Sequence, residues 1–209
     1  MSDESSVIKA MNYIVKQGVD GVGPLCSAEK LANEYILDTS YADNENRVSS
    51  LINWEVSKNF TSGFLSGLGG LITLPVTVPA GLGASWIIQA RMSGAIASIH
   101  GHKTTDDRVR TLILLSLLGD VGKEVLKSVA VEAGVKYTKS FIIQHLSGNI
   151  LKEINKAVGF RLVTKAGQNG VVNLSKAVPF VGGIICGTID ASACWTVGHA
   201  ANKIFKKNK

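Results

Sequence analysis

The sequence predicts an all-α protein, a multi-helix bundle around two apolar helical segments that glycine and proline interrupt. Three observations carry this. Apolar residues recur at spacings of three and four through much of the chain, the period of a helix with one buried face. Two long tracts are nearly free of charge: none lies between Lys58 and Arg91, and only Asp190 between Lys176 and Lys203. The stretches that join them carry lysines, as solvated faces of amphipathic helices do.

The chain has 209 residues, enough to bury a full core. Only 18% of them are charged, against about 25% in an ordinary soluble domain, and the mean hydropathy is positive. A net charge of +6 suits an anionic lipid surface or nucleic acid. Aromatics make up 6% and are not interleaved with basic residues, which argues against a single-strand platform and leaves lipid. Cys26, Cys186 and Cys194 are too scattered for a disulfide framework, and the acidic, polar start is no secretory signal. The expected location is therefore cytoplasmic, with peripheral or shallow attachment to a membrane.

Residues 5 to 18 form the first expected helix, with Val7, Ile8, Met11, Ile14 and Val15 on one face and Gly18 as its stop. GVDGVGPL is a loop. Ser27 is placed to cap a second helix through Leu31, Ala32, Tyr35 and Ile36. The turn-rich DTSYADNEN at 38–46 divides an N-terminal helical arm, 1–46, from the main helical domain, 47–209. From Arg47 an apolar stripe of Val48, Leu51, Ile52, Val56 and Phe60 leads into the first uncharged tract.

Inside that tract Gly63 and Gly67 stand four apart, with Gly70 beyond, a spacing that makes a groove for another helix backbone. Pro75 and Pro79 then break the helix. A further helix runs from Ala80 to His100 with Trp86 buried, and Arg91 intrudes on it. After a polar turn, Thr105 or Asp106 caps a helix through Leu112 and Leu117 that stops before Gly119. Several short amphipathic helices with basic outer faces follow. The last tract repeats the first: Pro179, then Gly183 and Gly187 at spacing four, then a long apolar helix bearing Trp195.

Both tracts resemble the EcsC family of bacterial proteins. The likeness rests on LINWEVSKNFTSGFLSGLGGLITLPVTVPAGLGASWIIQARMSGAIASIHGH with DDRVRTLILLSLLG, and on INKAVGFRLVTKAGQNGVVNLSKAVPFVGGIICGTIDASACWTVGHAANKIF. Together these cover roughly residues 48 to 205. The resemblance implies a membrane-associated protein, and it brings no catalytic motif to carry over. It makes 47–209 the EcsC-like domain.

A lone carboxylate in an apolar helix is costly unless paired, so Asp190 is expected to meet Arg91 and fix the register of the two tracts. His199 follows Asp190 by nine positions, pointing roughly the opposite way. His100 and His102 flank a turn near Asp106 and Asp107, but no second ligand set has metal-site spacing. Dinucleotide, P-loop, nucleophile-elbow and H-E-x-x-H patterns are missing. No cofactor, metal or catalytic residue is assigned.

The expected function is a non-catalytic module that binds membrane lipid, or carries an acyl chain. Its contact residues would be Gly63, Gly67, Gly70, Pro75, Pro79, Trp86, Gly183, Gly187 and Trp195. Two alternatives remain at this level. One is a hydrolase or peptidase-like enzyme with a site near Asp190, Arg91 and a histidine; the other is an adaptor for a membrane transporter or other membrane protein.

Overall fold

The structure, a computed structural model, describes residues 2–60, 80–132, 148–170 and 179–207, giving only the backbone at several helix ends, 179–190 among them. Eight helices are found among the described residues: α1 (Ser2–Asp20), α2 (Ala28–Ile36), α3 (Asn44–Phe60), α4 (Ala80–Ile99), α5 (Asp107–Ser116), α6 (Val121–Glu132), α7 (Gly148–Gly170) and α8 (Pro179–Phe205). The all-α expectation holds, and no strand occurs among these residues.

Helix α4 is the element the others enclose. Its sequence is apolar on every side, so it has no face to turn to water, and a helix of that kind belongs in a core. Ala84, Ile87, Ile88, Ala90, Met92, Ala95 and Ile96 are fully buried, as α1, α2, α3, α5 and α8 pack round it. The expected burial of Trp86 is observed, at 7% exposure.

Helix α1 buries the predicted face through Met11, Ile14 and Val15, but it does not stop at Gly18. It runs to Asp20 and breaks at Gly21, whose φ of +90° an L side chain rarely adopts. Gly18 instead lets α1 settle on the backbone of α4. A Cβ there would stand 2.7 Å from the Ile87 carbonyl oxygen and 2.9 Å from the Arg91 nitrogen.

Ser27 caps α2 as predicted, its hydroxyl accepting from the Lys30 N–H at 3.2 Å. Helix α3 starts three residues before the expected Arg47, because the Asp43 carboxylate accepts from the Asn46 N–H at 2.8 Å. Of the two possible caps for α5, Asp106 is the one used, accepting from the Arg108 N–H at 2.8 Å.

Met11, Ile14, Val19, Leu31 and Ala32 belong to the same hydrophobic core as α4, α5 and α8. The amphipathic stripe of α1 needs an apolar partner, and α4 supplies it.

Two contacts fix the direction of α8. Cys194 Sγ meets Met92 Sδ at 3.8 Å, and Asn202 Oδ1 accepts from His100 Nε2 at 2.7 Å. Each pair differs by the same offset in number, so α4 and α8 run parallel and in step. Helix α3 runs antiparallel to both: Asn44 bonds the Ile99 carbonyl at 2.9 Å, while Ile52 lies where a Cβ on Gly198 would fall, 2.8 Å away.

Candidate functional site

The parallel register brings the two uncharged tracts to one end of the bundle. From Ala80 to Ala90 helix α4 has no charge, and from Pro179 to Ile189 neither has α8. Each of these stretches rises about 17 Å. By the offset of the α4–α8 contacts, residue 80 lies level with residue 182. Helix α3 runs towards this end, with Phe60 about level with residue 86 of α4, and delivers the chain into 61–79.

Moving inward, Asp190 on α8 comes first, level with residue 88, and a buried cluster of charges follows at Arg91. Arg91 Nη2 donates to both carboxylate oxygens of Glu55 on α3, at 2.9 and 3.0 Å. Glu55 is fully buried and Arg91 is 4% exposed. Lys58 Nζ approaches Glu55 at 3.6 Å, and Arg91 Nη1 lies 3.9 Å from the Cys26 sulfur. Arg91 Nε is enclosed without a partner among the described residues. Arg91 thus finds its acid in Glu55, where the sequence reading expected Asp190. The side chain of Asp190 lies outside the described residues.

The signal for Glu55 was present in the chain. Val48, Ile52 and Glu55 follow one another at spacings of four and three, which places the carboxylate on the apolar stripe. Its polar neighbours in WEVSK make it resemble a surface residue.

At the same level two tryptophans stand out of the surface, Trp54 on α3 at 55% exposure and Trp195 on α8 at 51%. Lys58 Nζ sits 5.1 Å from the Trp54 ring. The Trp195 ring stacks on His199 at 3.9 Å, and His199 Nδ1 donates to the Trp195 carbonyl at 2.9 Å. The apolar end of the bundle is therefore followed by an aromatic and basic level.

Burial raises the Tyr35 phenol to about 12, with the Glu55 charge adding to the effect. One of the four tyrosines should accordingly titrate about two units late when phenolate absorbance is followed with pH. Folding favours the neutral phenol, so this contribution to stability is whole below pH 10.0 and is lost as pH rises towards about 12. Four tyrosines that all titrate together near pH 10 in the folded state would contradict this burial.

His100 and His102 serve the opposite end. His100 bonds Asn202, whose Nδ2 reaches Glu45 at 3.3 Å, and His102 Nε2 donates to the Phe205 carbonyl at 2.9 Å. Lys206 pairs with Glu45 at 3.0 Å. Burial opposes ionisation of Glu45, but Lys206 and Asn202 outweigh it and hold the carboxyl below its usual range. These contacts latch the end of α8 to the turn after α4. His100 stands nine residues from Arg91 on one helix, about 13 Å away, so the two are not brought together.

Of the predicted contact residues, Gly63, Gly67, Gly70, Pro75 and Pro79 lie outside the described residues. Gly183 and Gly187 lie on the backbone of α8 within its uncharged part. Trp86 is inside the core and Trp195 on the surface. No described helix is long and apolar enough to cross a membrane. Among the described residues no three His, Cys, Asp or Glu side chains are grouped to hold a metal.

A separate cleft of about 470 Å³ opens between α1, α5 and α7. Comparison with known protein families, curated proteins and solved structures gave no match.

Proposed function

We propose that the protein is a non-catalytic membrane-associated module that seats the uncharged end of its bundle in one leaflet of an anionic membrane. The observation that carries this is the shared register of α4 and α8, which ends both charge-free stretches within about one helical turn of each other. Their rise of about 17 Å is close to half of a hydrocarbon core of about 30 Å. Residues 83–90 of α4 are enclosed by its neighbours, so the end of the bundle would enter as a unit, to the depth of one leaflet and not across the membrane. Trp54 and Trp195 stand where the headgroups would lie, the level at which tryptophan is favoured. Lys58 at that level and the net charge of +6 supply attraction to anionic lipid. The resemblance of residues 48 to 205 to the membrane-associated EcsC family points the same way.

The test is flotation with vesicles of phosphatidylcholine and phosphatidylglycerol. The protein is expected to rise with the vesicles at low salt and to bind less at high salt. Trp54→Ala and Trp195→Ala remove half-exposed rings, each worth about 1 kcal/mol on insertion, so each should weaken binding about fivefold. Failure to float at low salt would overturn the proposal.

A further inference from the structure

The cleft between α1, α5 and α7 has no part in the apolar end. Helix α5 begins at the turn that follows α4, so the cleft lies towards the far end of α4, away from Ala80. We propose that it binds a water-soluble phosphate monoester carried on a hydroxyl-bearing body, such as a phosphorylated polyol.

Three basic residues line it: Lys16 from α1, Arg110 from α5 and Lys152 from α7. One carboxylate, Asp107, shares the lining, so positive charge is in excess. Asp20, which is not part of the lining, pairs with two of the cations, at 3.0 Å from Lys16 and 3.0 Å from Arg110, so the excess positive charge rests on Lys152. Arg110 is also held through Nε by the Thr104 carbonyl at 3.0 Å. The guanidinium is thereby fixed in orientation, the condition for recognising an oxyanion. Lys152 is exposed and has no acidic partner among the described residues.

The first turn of α7 borders the same space. A Cβ on Gly148 would meet nothing within 4 Å, so a ligand can come close to that helix start, where anions are favoured. The hydroxyl-bearing body follows from the acceptors. Asn155 lines the cleft and its Oδ1 is buried without a hydrogen-bond partner. A buried acceptor left unpaired costs free energy, and a ligand hydroxyl would satisfy it, as another would Asp107. The volume of about 470 Å³ falls within the usual range for small-molecule sites, about 300–1,000 Å³.

The test is titration calorimetry on the full chain with glycerol 3-phosphate and with inorganic phosphate. Both are expected to bind saturably, glycerol 3-phosphate more tightly. Lys152→Glu should weaken both at least tenfold, whereas Lys127→Glu, the same charge change on α6, should leave both unaltered. Asn155→Leu should erase the preference for glycerol 3-phosphate while inorganic phosphate still binds. If Asn155→Leu does not fold, the two lysine variants decide alone. No saturable binding, or equal weakening by the two lysine variants, overturns the proposal. Vesicles bearing phosphatidic acid separate a lipid source from a soluble one. If Lys152→Glu abolishes capture by those vesicles and the wild type ignores glycerol 3-phosphate, the ligand is a lipid headgroup and the soluble assignment fails. The calorimetric readouts do not require the apolar end to enter a membrane.

Discussion

Glu55→Gln is expected to lower the unfolding free energy by about 3–5 kcal/mol, measured by chemical denaturation. The substitution keeps the shape of the side chain and removes its charge. Arg91, 4% exposed, is then left charged among apolar neighbours. Its Nε already lacks a partner among the described residues. Glu55→Leu with Arg91→Met should recover most of the stability, because removing both charges removes the desolvation cost as well. The two outcomes separate a pair that is needed from a pair that is merely costly to break. A single-variant loss below about 1 kcal/mol, the range of exposed pairs, would show that the cluster is wet. Tyr35 gives a second readout: without the Glu55 charge its phenol should fall from about 12 towards its ordinary value.

The location of this pair gives it a role beyond stability. It ties α3 to α4 at the level where the charge-free ends begin and where Trp54 and Trp195 emerge. Sliding α3 by one turn along α4 would part the bidentate contact and carry Trp54 about 5 Å from its level. The pair therefore sets the height of one tryptophan relative to the other. The Glu55→Leu and Arg91→Met chain, if folded, should bind vesicles less sharply with depth than the wild type, read by quenching of Trp54 with lipids labelled at known positions.

Local features of the fold were legible in the chain. Ser27 and Asp106 cap helices where their side chains follow the rule for short polar acceptors. The stripe Met11, Ile14, Val15 is buried as its spacing requires. What could not be read was which element each stripe would meet. Arg91 stood out as a charge in an apolar run, and the acid that stood out in the same way was Asp190. The acid it actually meets, Glu55, stands beside tryptophan and lysine and draws no notice. Contrast with sequence neighbours finds intruders; it does not find partners. The cleft was hidden for the same reason. Lys16, Arg110 and Lys152 come from three distant helices, and each alone reads as an ordinary solvated charge. Gly18 looked like a helix stop because glycine often is one; its use as a contact surface depends on α4, far away in sequence.

That contact supports the second large prediction. Gly18→Ala should destabilise the protein by about 2 kcal/mol net. Alanine favours helix over glycine by up to about 1 kcal/mol, and overpacking costs about 1–3 kcal/mol. The added methyl would stand 2.7 Å from the Ile87 carbonyl oxygen and 2.9 Å from the Arg91 nitrogen. Those are backbone atoms of the most enclosed helix, so they cannot rotate aside, and the cost belongs at the upper end of the range. Relief must come from α1 lifting off α4. Because Asn12, Val15 and Lys16 on α1 wall the cleft, that shift should also weaken phosphate binding, although no cleft residue is altered. Gly148→Ala is the contrast, since its added methyl meets nothing within 4 Å; it should change stability by less than about 0.5 kcal/mol. Equal thermal stability of Gly18→Ala and the wild type would mean that α1 does not rest on α4 at this point, and the close helix packing on which the cleft depends would have to be redrawn.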